Sequence, residues 1–317
     1  MAMLLDGDWL SVLRQHLARQ EHVILITVAG SHGHVPREVG ARMVVGRDWY
    51  ADTLGGGRLE YQACLYARQL LAGMAAHRSY QRFELWATPD YCCTGTVWLL
   101  FERLACQDLS WVDMAWQARA QGQVLRRMIT LDATTPPEYQ LLQGTGSGIR
   151  LLQPLLVQDD LPAPAMRVVL CGAGHVGRAV SRLLGSLPCR VFWLDNRPGL
   201  LPTTVPSNTT VILGGTEQMV LLPADACWLV MTHSDQQDFD WVEQILLRND
   251  ARYIGLLGCH SKLASFNLRL INRVPLGSIA RLRCPPGVAG IDSKQPAAIA
   301  IAVVAELLQQ TKSVSPC

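Results

Sequence analysis

The sequence shows little charge imbalance, no long apolar run and no C-x-x-C pair, and each shortage removes a class of function. Its 28 Lys and Arg stand against 26 Asp and Glu, a formal net charge of +2. No strong field therefore draws the chain onto nucleic acid or an anionic membrane, and neither is expected as a partner. No stretch approaches the roughly 18 uninterrupted apolar residues of a transmembrane helix. The opening residues, Met1-Ala2-Met3-Leu4-Leu5-Asp6-Gly7-Asp8, place acids where a signal peptide carries its basic region, and they lack a sustained apolar core. The expectation is a soluble cytoplasmic protein. Ten cysteines are present without C-x-x-C or finger-type Cys/His spacing, which argues against structural zinc. The expected compartment argues against disulfides, leaving mostly free thiols.

What is present begins with Val168-Val169-Leu170-Cys171-Gly172-Ala173-Gly174-His175-Val176-Gly177, a short apolar run entering G-x-G-x-x-G and then an apolar, helix-like segment. In that context Gly172 permits the tight strand-to-helix turn, Gly174 lets a phosphate approach bare backbone, and Gly177 lets the helix pack closely on the strand. A second apolar run, Val191 to Leu194, ends in Asp195, at the distance where a dinucleotide-binding fold places its ribose-binding acid. The alternative is a glycine turn with no ligand, since the fold also serves as a packing unit.

At 317 residues the chain has room for two domains. In the first half, a helix over 8–19, strands over 23–28 and 41–45, a helix over 58–74 and strands over 81–85 and 96–102 follow from apolar spacing. Residues 110–158 read less clearly, as an α+β continuation with strand-like patches around 124–131 and 148–157. The segment Gln158-Asp159-Asp160-Leu161-Pro162-Ala163-Pro164-Ala165 reads as a polar, proline-rich linker. It separates an α+β domain, residues 1–160, from residues 166–317. There, strands at 168–171, 191–194, 210–213, 227–232 and 253–257 alternate with helices at 176–186, 239–248, 261–270 and 296–309, the pattern of a doubly wound parallel sheet.

The chain resembles the XdhC/CoxI family, accessory proteins of xanthine dehydrogenase and related molybdenum hydroxylases. In the first half the resemblance rests on Gly33-His34-Val35-Pro36-Arg37-Glu38-Val39-Gly40-Ala41-Arg42-Met43, Thr53-Leu54-Gly55-Gly56-Gly57-Arg58-Leu59-Glu60 and Cys92-Cys93-Thr94-Gly95. In the second it rests on the glycine motif, Asp195-Asn196-Arg197-Pro198, Met231-Thr232-His233-Ser234, Gly255-Leu256-Leu257-Gly258 and Lys294-Gln295-Pro296-Ala297-Ala298-Ile299-Ala300. The blocks occur in the family's order and cover most of the chain outside roughly residues 105 to 165. Four departures stand out: His34 for a usual Ser, Thr94 for Gly, Cys259-His260 for Ser-Lys, and Pro286 within the Cys-Pro-x-Gly turn.

The resemblance implies an α/β protein, a C-terminal Rossmann-type doubly wound parallel sheet preceded by an α+β XdhC/CoxI-type domain. It further implies a non-enzymatic chaperone that binds molybdenum cofactor as cargo, holds it while a cysteine desulfurase supplies sulfur, and delivers it to the large subunit of an apo molybdoenzyme. Similarity to the PaoD branch adds the cytosine dinucleotide form, an aldehyde oxidoreductase client and a cytidylyltransferase partner. A homo-oligomer is also expected.

For such a ligand, the amides after Gly174 would hold the pyrophosphate and Asp195 the ribose hydroxyls, unless Asp195 only caps a turn with Asn196. His175 and His233 fall at strand ends facing the crevice, as polar contacts rather than metal ligands. Cys92 or Cys93 offers a soft thiolate to molybdenum, or else fills space as buried cysteines do. Gly55-Gly56-Gly57 ahead of a helix forms an anion-binding nest or a ligand-free turn, with Arg37 and Glu60 as the nearby charged groups. Arg37 presents a fork to phosphate or is merely solvated. For Cys171 a core position is expected. The rival function is an NAD(P)-dependent oxidoreductase using the same glycine motif; a third is a scaffold with an empty crevice.

Overall fold

The computed structural model describes residues 3–5, 7–73, 77–86, 94–132, 135–144, 146–162 and 166–311. The chain divides into two compact units, residues 1–163 and 164–317.

The first unit contains β1 (Met3–Leu5), α1 (Trp9–Ala18), β2 (Val23–Gly33), β3 (Arg42–Val45), β4 (Trp49–Asp52), α2 (Gly57–Ala72), β5 (Arg78–Leu85), β6 (Gly95–Leu104), α3 (Leu109–Gln121), β7 (Val124–Thr130), β8 (Glu138–Leu142), β9 (Ile149–Gln153) and β10 (Leu156–Leu161). Six strands form a sheet in the order β1-β4-β3-β2-β6-β5. Strand periodicity sorts its side chains: Ile24, Ile26 and Val28 share a core with Leu59, Ala63 and Ala67 of α2, while Val23 and Leu25 share one with α1 and α3. Asp8 starts α1 by accepting from the Leu10 and Ser11 amides.

A second, antiparallel sheet runs β8-β7-β10-β9. This corrects the linker expected at 158–165, because Gln158 to Leu161 lie in β10, an inner strand. The acids that looked solvated are buried, Asp159 at 0% and Asp160 at 1% exposure. Each is paired. Asp160 takes a two-pronged bond from Arg126, at 2.7 and 2.9 Å. Asp159 accepts from Arg42 at 2.5 Å and from Arg127 at 3.1 Å, and Arg127 also donates to the buried Glu102 at 2.5 Å. Two buried cations thus meet two buried anions, joining β3 and β6 of one sheet to β7 and β10 of the other. Arg127 also lies over the Trp111 ring, 4.2 Å from its centroid.

The second unit contains β11 (Met166–Cys171), α4 (His175–Leu184), β12 (Cys189–Asp195), β13 (Thr209–Leu213), β14 (Cys227–Val230), α5 (Asp235–Arg248), β15 (Tyr253–Leu256), α6 (His260–Leu270), α7 (Leu276–Ile279), β16 (Leu282–Arg283) and α8 (Pro296–Thr311). Its sheet is parallel throughout, in the order β13-β12-β11-β14-β15-β16. Helices cover both faces. Val168, Leu170 and Val191 pack with Val180 and Leu184 of α4 and Val303 and Leu307 of α8. On the other face Val169, Cys171 and Val230 pack with Phe239 and Val242 of α5 and Phe266 of α6. Two buried faces explain the uninterrupted apolar strands. Strand order reverses between β11 and β14, which opens a crevice at their carboxyl ends where such folds bind ligands. No helix among the described residues is long and apolar enough to cross a membrane.

Candidate functional site

The crevice begins where β11 ends. Gly172 has φ +123°, and a Cβ there would collide with the Met231 carbonyl of the chain leaving β14. Its amide donates to Leu194 O at 2.7 Å, and its carbonyl accepts from Trp193 Nε1 at 3.0 Å. A Cβ on Gly177 would collide with the Gly172 carbonyl, so α4 sits directly on the turn. Gly174 differs: it is the N-cap of α4, no side chain caps the helix, and a Cβ there would meet no atom within 4 Å. No protein contact demands glycine at that position. It leaves open space at the positive end of a ten-residue helix, where amides favour an anion.

Asp195 ends β12 and is 6% exposed. Its carboxylate accepts from Ala173 N at 2.7 Å, from Arg197 N at 2.9 Å and from both prongs of the Arg197 fork at 2.9 and 2.8 Å. Burial alone would raise its pKa, but the Arg197 bonds and the two amides outweigh it and bring it down to about 2. The acid therefore ties the glycine turn to the loop after β12, and the turn it caps is closed by Arg197. A ribose would have to share this carboxylate with, or displace, the Arg197 fork.

Beside it lies a cleft of about 140 Å³ lined by Gly172, Asp195, Glu217, Thr232, Asp240 and Trp241 among others. It contains three carboxylates and no Lys or Arg. Glu217 is held ionised by the Gly215 amide. Such a lining accepts hydrogen bonds from hydroxyl and amino groups and repels phosphate. Glu217 and Asp240 escape sequence reasoning because they follow no motif; only the strand-end position of their elements could have indicated them. His175 and His233 are exposed at the carboxyl ends of β11 and β14, and neither lines this cleft.

The N-terminal motifs converge elsewhere, within the first unit. A Cβ on Gly33, φ +79°, would come within 2.8 Å of Thr94 O, and His34 N donates to that oxygen at 2.9 Å. A Cβ on Gly55 would come within 2.6 Å of Pro36, and Arg37 donates to Thr53 O at 3.0 Å. Segments 33–37, 53–57 and 94–95, far apart in sequence, thus form one surface. Cys92 and Cys93 lie outside the described residues; Thr94, which follows them, belongs to this surface.

At Gly55-Gly56-Gly57, read as an anion nest or a ligand-free turn, the chain supplies an acceptor of its own. All three glycines have positive φ, but Glu60 Oε2 accepts from Leu54 N at 2.9 Å, Gly56 N at 3.1 Å and Thr53 Oγ1 at 2.5 Å. The chain's own carboxylate, one turn into α2, satisfies amides that an outside anion would need. Arg37 is likewise engaged, with Glu38 at 3.2 and 3.3 Å as well as Thr53 O. Cys171 lies in the core at 1% exposure, and burial pushes its thiol up.

Comparison with known proteins follows the same division. Residues 168–307 match the XdhC Rossmann domain, and residues 16–81 match the XdhC and CoxI family. An uncharacterized protein of Escherichia coli strain K12, YqeB, is 32% identical over 149 residues, covering 45% of this chain and 27% of that protein. The chain thus spans only about a quarter of the length of this curated relative. A Bacillus halodurans crystal structure described as a xanthine dehydrogenase aligns at TM-score 0.75 over 96% of each chain with 20% identity, and so shares the fold. The Lactococcus lactis oxidoreductase ylbE aligns at TM-score 0.26 and 15% identity over 45% of this chain and 63% of its own, which carries no argument. With the glycine-turn unit and the loop-bearing N-terminal unit both matched to one family, the chain belongs to the XdhC and CoxI family.

Proposed function

We propose that this protein is a cytoplasmic maturation factor that binds molybdenum cofactor as cargo and delivers it, after sulfuration, to an apo molybdenum hydroxylase of the xanthine dehydrogenase or aldehyde oxidoreductase type. The observation that carries the reading is the open backbone at Gly174, which leaves space for a phosphate at the start of α4. The acid-lined cleft beside it extends the reading to a dinucleotide form: it suits a nucleoside with free ribose hydroxyls and an amino-bearing base, as in the cytosine dinucleotide. The amides after Gly174 bind the pyrophosphate, Asp195 and Arg197 position the turn, and the acids receive the nucleoside. Nothing in this assignment requires the protein to turn over a substrate. The partners are the client's large subunit, a cysteine desulfurase and a cytidylyltransferase.

A thiolate of Cys92 or Cys93 is the soft ligand for molybdenum in this reading. The test is reconstitution of client activity from purified chaperone, cofactor and a sulfur donor. At least one of Cys92→Ser and Cys93→Ser is expected to leave the far-ultraviolet spectrum unchanged while lowering activation about tenfold or more. Full activation by the double serine variant would remove the thiols from the site. Form-specific fluorescence of pterin extracted from protein made in cofactor-producing cells decides the nucleotide: cytosine dinucleotide is expected, and bound nicotinamide dinucleotide in its place would support the oxidoreductase reading.

A further inference from the structure

A second cleft, of about 650 Å³, lies within the first unit, where the α1–β2 turn, the β3–β4 hairpin and the C-terminal half of α2 meet. It is remote from the motif surface: β2 starts beside it at Val23 and runs away to Gly33, and α2 starts at Gly57 and ends beside it at Ala72. Its volume falls in the range of small-molecule sites.

Its lining brings two guanidinium groups and two carboxylates together. Arg47 and Arg68 both face it, and among the described residues neither makes an ion pair or hydrogen bond. Arg68 Nε is shielded from solvent with no partner, a costly state for a cationic donor. His22 adds a third group able to donate. Of the two acids present, Glu21 bonds His16 Nδ1 at 2.8 Å rather than either arginine. The remaining wall is apolar, with Leu71 and the Trp49 ring, itself held against His16 at 3.9 Å between ring centroids. Guanidinium forks beside a flat apolar wall fit an oxyanion carried on a flat organic body.

We propose that this cleft is a second ligand site, which takes a small organic oxyanion between Arg47 and Arg68 with its apolar body on Trp49 and Leu71. It is independent of cargo binding at Gly174. The test is calorimetric titration of the full-length protein with phenyl phosphate and with benzoate, which separate phosphate from carboxylate sources, and with phenol as the uncharged control. At least one of the two anions is expected to bind saturably and phenol not. Arg47→Gln and Arg68→Gln should each weaken that binding about tenfold, added sodium chloride should weaken it further, and Gly174→Val should leave it unchanged. Absence of saturable anion binding would overturn the proposal. So would binding that survives both arginine substitutions or is lost in Gly174→Val, since the anion would then sit elsewhere.

Discussion

At the scale of single residues, the glycine motif separates into two kinds of glycine. Gly172 and Gly177 are required by the protein itself, one by positive φ and a close carbonyl, the other by packing of α4 on the turn. Gly172→Ala or Gly177→Ala should therefore cost about 2–4 kcal/mol in urea unfolding. Gly174→Ala should cost less than about 1 kcal/mol, the difference between these residues at an N-cap. Equal losses at all three positions would contradict the division. The motif is legible in the sequence because its spacing reflects backbone geometry. The state of Asp195 is not, because Arg197 lies only two residues on and nothing in the spacing shows its fork folding back. Its low pKa has a consequence: a carboxyl depressed in the folded chain contributes stability above its unfolded pKa near 3.9 and loses it as pH falls towards about 2. Asp195→Asn should remove roughly 2 kcal/mol at pH 7 and progressively less below about pH 4. A penalty independent of pH would mean that the ion pair is not what holds the turn.

At the scale of elements, the second unit is readable because strands buried on both faces are apolar runs, and helices between them keep helical spacing. The first unit is readable only in part. β10 reads as a linker because Asp159 and Asp160 are charged and prolines follow; what makes it a strand is their burial against Arg42, Arg126 and Arg127, contributed by other strands. α3 does not stand out because its buried face is built from Trp111, Val112, Ala115 and Ala118, with small and aromatic residues where an aliphatic stripe is easier to see. At Gly55–Gly57 the sequence leaves nest and turn open for a related reason: Glu60, which reads as a neighbouring charge, accepts from the Leu54 and Gly56 amides. The buried charge network gives its own prediction. Asp159→Ala leaves Arg42 and Arg127 facing Glu102 alone, and breaking a buried pair from one side costs about 3–5 kcal/mol. Chemical unfolding should show that loss, whereas a change under about 1 kcal/mol would mean that water already reaches the network.

At the scale of the whole molecule, each of the two units carries its own candidate surface. The second presents an open helix start and an acid-lined cleft, and the first a surface assembled from three distant loops. In the proposed function, the cofactor's phosphates sit at Gly174. The direct measurement is pterin retained per mole of protein, by fluorescence after oxidation, for wild type, Gly174→Ala and Gly174→Val purified from cofactor-producing cells. Wild type should retain the cofactor, and Gly174→Val, folded as judged by its urea midpoint, should retain at least about tenfold less, with Gly174→Ala between them. Equal retention by wild type and a folded Gly174→Val variant would contradict it.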